Sequence, residues 1–176
     1  MEQAVFYIGQ ILGVIAVVLG FVNYQVKTRE GVLIISAVST VVFVLHYLCL
    51  SAWAGMVMNF AGLIRNISYY HLGKNGRVKK RVALSFSLVM GSIGTAASIL
   101  AGEELYFLLS VVSIMIYTFA ISFSNPNNIR KSILISSPLA LLYNCFVLSA
   151  GGAVYEAVAI ISSVIGLIRF REGKKN

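Results

Sequence analysis

Seven long apolar runs, parted by short polar or basic breaks, organise this chain. They cover about 5–26, 32–50, 53–70, 82–100, 105–123, 133–148 and 153–170. Each approaches the roughly 20 apolar residues that a helix needs to cross the hydrocarbon core of a bilayer. Open strands are excluded in lipid, where every unpaired backbone group costs several kcal/mol. The pattern therefore predicts an all-α, polytopic membrane protein with seven transmembrane helices. Two breaks are shallow, Ser51-Ala52 and Ser149-Ala150-Gly151-Gly152. Fusing the runs across them gives five spans, but each fused helix would need about 40 apolar residues, twice what a bilayer requires.

Composition agrees. The 176 residues are 59% hydrophobic and 11% charged, against about 25% charged in an ordinary soluble domain. A soluble domain this short has too much surface for its volume to hide so much apolar area. Met1-Glu2-Gln3 lacks a basic leader and the first apolar run is long, so no removable signal peptide is expected. Cys49 and Cys145 fall inside apolar runs and read as small buried hydrophobes rather than a disulfide. His46 and His71 stand alone, which offers no metal-ligand spacing. Neither metal nor cofactor is expected.

The basic residues set the orientation. All 14 lie in the breaks after the first, third and fifth runs or at the C-terminus from Arg169 onward, except Arg65, which sits in the lower half of the third run. The positive-inside rule then puts the N-terminus outside and the C-terminus in the cytoplasm of a bacterial inner membrane. The net charge of +8 could suit nucleic acid, but short clusters between apolar runs form no continuous basic face. Lipid is the expected partner, and the cluster of Lys74, Arg77, Lys79, Lys80 and Arg81 is expected to rest against anionic headgroups. Tyr47, Trp53 and Tyr106 read as aromatics of the outer interface.

A weak duplication runs through the chain. Leu50-Ser51-Ala52 closes the second run and Leu148-Ser149-Ala150 the sixth, while Gly62-Leu63-Ile64-Arg65 recurs as Gly166-Leu167-Ile168-Arg169. A three-span unit ends on the side opposite its start, so two copies in one orientation need an inverting helix between them. The plan is 3-1-3: residues 1–72, a basic loop and linker helix over 73–102, and a second unit with a basic tail over 103–176. Parallel repeats of this kind occur in SWEET transporters. Ser87, Gly91 and Thr95 in the linker, and Gly9, Gly13 and Gly20 in the first run, make small-residue stripes for helix packing. Homo-oligomerisation stays open.

Several stretches carry a family resemblance. They are Gly13-Val14-Ile15-Ala16 with Gly20, His46-Tyr47, Tyr143-Asn144, Gly151-Gly152 followed by Glu156, and Ile168-Arg169-Phe170. In these the chain resembles the YgjV family of bacterial inner-membrane proteins over nearly its whole length. That family is distantly similar to the SWEET and PQ-loop (MtN3-like) transporters. The Pro-Gln dipeptide of the latter is missing: Gln25 follows Tyr24, and the prolines are Pro126, in a break, and Pro138. The resemblance thus implies fold more than gating mechanism. It also implies that the third helix of each unit lines a pocket, with Asn59 and Glu156 facing one another.

Intramembrane polar residues are costly and are site candidates by default. Glu156 reads either as a substrate or proton site or as an interfacial carboxylate wetted at the outer surface. Asn59, Asn144, Tyr143 and His46 join it as candidate substrate-binding residues, each with an interhelical hydrogen bond as the plainer alternative. Arg65 and Arg169 hold matching places in the duplicated tetrapeptide. With Lys79, Lys80 and Arg81 they are expected to face cytoplasmic lipid phosphates, an anionic substrate being the other reading. No catalytic constellation occurs at usable spacing, so no enzyme is expected. The expectation is a transporter of a small polar solute, sugar-like or vitamin-like. Its rival is a non-transporting membrane protein: receptor-like, an assembly partner or a lipid-binding scaffold.

Overall fold

A computed structural model describes residues 2–49, 53–73, 78–100, 102, 104–146 and 150–170. Among the described residues seven helices follow one another: α1 (Glu2–Asn23), α2 (Arg29–Cys49), α3 (Trp53–Leu72), α4 (Lys80–Leu100), α5 (Phe107–Ala120), α6 (Pro126–Phe146) and α7 (Ala150–Arg169). Each apolar run has become one helix. Ser51-Ala52 and Ser149 lie outside the described residues, but the helices on either side of them are separate and pack together.

The largest difference from expectation is the start of α6, at Pro126 rather than near 133. Asn125 Oδ1 accepts the Asn127 N–H at 2.9 Å, which satisfies an orphan donor of the first turn. Proline fits the first helical position because its missing N–H would find no partner there. The polar segment that follows stays helical because it buries Ile129 and Arg130.

Among the described residues, four helices are long and apolar enough to cross a membrane: Gln3–Asn23, Arg29–Cys49, Lys80–Leu100 and Gly151–Arg169. The helix α5 is apolar but shorter, 14 residues, while α3 and α6 carry more polar side chains. The outer surface is apolar, with Ile11, Val14 and Val18 of α1, Leu84 and Leu88 of α4, and Ile161 and Ile168 of α7 all exposed. An apolar surface this extensive fits lipid and not water. Cys145 is exposed and Cys49 half-buried, and both are free thiols; the expectation of two buried cysteines fails because Cys145 falls on the outward face of α6.

Helices adjacent in sequence pack side by side within α1–α3 and within α5–α7, and α7 returns onto α1. The helix α4 leans on α5 and touches α3. Its stripe of small buried residues runs Ser87, Gly91, Gly94, Ser98, with Thr95 only half-buried. Ser87 donates to the Met115 carbonyl at 2.6 Å.

One end of the bundle is closed and cationic. Leu33, Tyr69, Val78 and Ile121 form one buried cluster there, and Tyr24, Ile133 and Ala159 another. Arg29, at the start of α2, donates to the Tyr69 and Gly73 carbonyls at the end of α3. Arg130, near the start of α6, donates to the Tyr24 and Val26 carbonyls beyond α1 and lies 4.7 Å from the Phe170 ring centroid. These contacts join the ends of α1, α3 and α7 to the starts of α2 and α6, so the described cations of those junctions share one end. The sequence reading of Arg29 and Arg130 as loop cations is corrected. They are 3% and 2% exposed, because their guanidinium groups satisfy helix C-terminal carbonyls.

Candidate functional site

The helices α1–α3 and α5–α7 enclose a cavity of about 330 Å³; α4 contributes no lining residue. Its wall carries the polar side chains that make α3 and α6 poor membrane spans taken singly, among them Asn59, Arg65, Ser136 and Asn144. A second cavity of about 610 Å³ shares Phe43, Tyr47, Asn59, Asn144, Tyr155 and Glu156 with the first. It extends to Gly151 and Gly152 in the first turn of α7, at the end of the bundle opposite the cations.

The candidates Asn59, Glu156, Asn144 and Tyr143 all line the first cavity, and His46 lines the second. Glu156 is half-buried and shares the cavity wall with Ser137 of α6. His46 Nδ1 lies 2.7 Å from the Gly9 carbonyl and ties α2 to α1, while Asn144 donates within its own helix to the Ala140 carbonyl at 2.9 Å. Both therefore have structural roles as well as positions on the wall. Aromatic rings stand around Glu156: Phe43 meets Tyr155 edge-on at 5.2 Å and stacks on Tyr47 at 6.0 Å.

The cavity floor, toward the cationic end, holds a group that the sequence reading misplaced. Arg65 is 4% exposed and faces inward, not toward lipid. Its Nε and Nη2 donate to Asn66 Oδ1 at 3.2 and 3.0 Å, and Nη1 donates to Thr118 Oγ1 at 2.9 Å. Seven residues separate it from the end of α3 at Leu72, whereas Arg169 is the last residue of α7 and is exposed. The matching tetrapeptides thus do not hold matching places. Snorkelling requires a side chain on the outer face near a helix end; Arg169 has that position and Arg65 does not. Lys79, Lys80 and Arg81 are exposed at the start of α4.

Around Arg65 runs a polar network. Asn23 donates to Ser36 Oγ at 3.0 Å, and Ser36 Oγ lies 3.2 Å from the Tyr117 hydroxyl. Gln25 donates to Ser162, and Ser162 donates to the Phe21 carbonyl, which ties α1 to α7 beside the floor. Asn23 Oδ1 and Asn66 Nδ2 are buried without a partner. Native interiors rarely leave such atoms unpaired.

A family of bacterial inner-membrane proteins, Imp-YgjV, matches residues 7–174. The chain belongs to this family. No curated protein and no solved structure matches it. Within this YgjV-family protein, the sequence reading put Arg65 first among lipid-facing cations, with an anionic substrate as its alternative, and it passed over Asn66, Tyr117 and Tyr155. Polar side chains spaced along α3, Asn59, Arg65 and Asn66, were the available signal for Arg65 and Asn66.

Proposed function

We propose that this inner-membrane protein is a transporter of a small polar solute, working by alternating access between its two three-helix units. The reading rests on one observation: a polar cavity lies among α1–α3 and α5–α7, closed by buried packing at the cationic end and reaching the opposite end. A structural bundle gains nothing from buried polar atoms left unpartnered, and a membrane cavity lined by ionisable groups is a transport-site arrangement. All seven helices cross the bilayer in this reading, with the N-terminus outside and the cationic end in the cytoplasm. The exclusion of α4 from the cavity wall supports the 3-1-3 plan, similar to that of SWEET transporters. In this reading the cavity is open to the outside, and the inward-facing state requires the cationic end to part. In this reading the activity is carriage rather than chemistry.

Flux into proteoliposomes containing the purified protein tests this, with sugars, vitamins, amino acids and organic acids as solutes. Uptake of at least one, reduced by the Asn59→Ala, Glu156→Ala double substitution, is expected. No flux of any, or flux indifferent to both residues, removes the proposal.

A further inference from the structure

The cavity separates two opposite charges instead of pairing them. Arg65 stands on the floor, and it contacts the neutral Asn66, Thr118 and the Tyr117 face. Glu156 stands on the opposite side of the wall, where Ser137 also lines the cavity. Among the described residues no ion pair joins either group to another side chain.

An arginine has five N–H donors. Three are used here, so two remain. Asn66 spends its carbonyl on Arg65, which leaves Nδ2 as a buried, unpartnered donor on the same floor. A guanidinium beside a spare amide donor is a receptor for an anionic oxygen. Keeping a buried cation without a counter-charge is expensive, because the folded protein has removed its water without replacing the charge. A neutral solute would leave that cost standing, whereas an anionic group relieves it.

The other pole has the opposite chemistry. Glu156 offers carboxylate oxygens, and the rings of Phe43, Tyr47 and Tyr155 surround the same part of the cavity. A carboxylate with aromatic faces favours an ammonium group, through charge and through the ring quadrupole. Glu156 lies thirteen residues before the end of α7 at Arg169, and Arg65 seven before the end of α3 at Leu72. Six residues at 1.5 Å each put the two poles roughly 9 Å apart in depth. Measured along the depth alone, two charge-assisted hydrogen bonds of about 2.8 Å each leave a few ångström between the charges of the solute.

We infer that the solute is a small zwitterion of the amino-acid type, its anionic group on Arg65 and Asn66 and its ammonium on Glu156. This rests on the solute-binding reading above and narrows it from polar solutes in general. Asn23 Oδ1, buried and unpartnered on the floor, supplies an acceptor for a further N–H or O–H of the solute.

Thermal unfolding of the full-length protein in detergent, with added amino acids, their deaminated acids, their decarboxylated amines and neutral monosaccharides, provides the test. At least one amino acid should stabilise the wild type more than its acid, its amine or any sugar. Glu156→Gln should weaken binding of that amino acid by about tenfold or more, while binding of the matching acid changes by less than about threefold. Arg65→Gln should have the reverse selectivity, sparing the amine. If Arg65→Gln does not fold, the Glu156→Gln comparison decides alone. Stabilisation by sugars only, or an equal loss of acid and amino acid in Glu156→Gln, overturns the inference. Proteoliposome flux separates it from the transporter reading. Carriage of a neutral sugar would leave transport standing and sink the zwitterion, while zwitterion binding without flux would do the opposite. No binding and no flux rejects both.

Discussion

The Arg65 guanidinium lies 5.0 Å from the centroid of the Tyr117 ring, on the floor of a membrane cavity and with no carboxylate partner among the described residues. An ordinary salt bridge from α5 or α6 would have neutralised it, yet neither helix supplies an acid.

The cation therefore costs stability in the empty protein. Arg65→Met keeps a long, flexible side chain and removes the charge. Replacing buried ionic groups by apolar side chains of similar volume is often neutral or stabilising by about 1–4 kcal/mol. The loss of hydrogen bonds to Asn66 Oδ1 and Thr118 Oγ1 works against this, at about 1–3 kcal/mol for each acceptor left dry. Thr118 can turn its hydroxyl toward another acceptor and Asn66 can reverse its amide, so the net expectation is an unfolding temperature equal to or above that of the wild type. Solute binding is expected to be lost in the same variant. A marked fall in unfolding temperature would make Arg65 a structural residue first.

The seam between α1 and α7 is set by Gly20. A Cβ placed there would lie 2.6 Å from Cε2 of Tyr155, the residue preceding Glu156. Tyr155 cannot retreat freely, because Phe43 packs edge-on against it. Gly20→Ala should destabilise the protein by about 1–3 kcal/mol through overpacking and weaken solute binding by displacing the aromatic wall. Gly151→Ala is the matched control, since a Cβ there meets nothing within 4 Å, and its stability should remain within about 0.5 kcal/mol of wild type. Thermal unfolding of the pair, read together with solute binding, checks both statements.

Helix number and order were legible in the chain because apolar run length is set by membrane thickness. The start of α6 was not, since Asn127, Asn128, Arg130 and Lys131 read as a loop until Asn125 and Pro126 are recognised as a helix start. Cavity membership of Asn59, Asn144, Tyr143 and Glu156 followed from the rule that polar groups avoid lipid. Arg65 escaped because that rule has two outcomes for arginine. A long side chain can snorkel or turn inward, and the choice depends on which face of α3 meets α5, where Thr118 and Tyr117 receive it. Sequence spacing within one helix does not encode that meeting. The repeated tetrapeptide was misleading for the same reason: identical residues in α3 and α7 stand at different depths.

Membrane orientation has a direct measurement. Single cysteines at Lys80, which begins α4, and at Glu104, just before α5, belong to opposite faces in the seven-span topology. The background is free of Cys49 and Cys145, both of which lie within helices. A membrane-impermeant maleimide added to spheroplasts should label position 104 and leave position 80 untouched until the membrane is opened. Labelling of position 80 from outside would invert or break the topology and remove the cytoplasmic assignment of the cationic end.

Closure of that end depends on Arg130. Its Nε donates to the Tyr24 carbonyl at 2.8 Å, Nη2 donates to the Val26 carbonyl, and Nη1 to Asn127 Oδ1. The side chain thus ties α6 to the carbonyl-rich C-terminal end of α1, where a cation is also favoured by the helix dipole. Gly166 of α7 makes room for it, since a Cβ there would lie 2.6 Å from Arg130 Nε. Arg130→Gln leaves the Tyr24 and Val26 carbonyls short of donors and should destabilise the protein by about 2–4 kcal/mol. Arg130→Lys retains the charge but cannot reach two carbonyls at once, so it should fall between. If parting of this end is the inward-opening step, weakening the tie also exposes the cavity floor. Asn23→Cys, buried in the parent at a position 3% exposed, should then react with a maleimide reaching the cationic face in inside-out vesicles when Arg130→Gln is also present, and hardly at all without it. Loss of stability with the floor still protected would leave Arg130 as a strut and move the opening step to another contact, the Arg29 bonds to α3 being the next to examine.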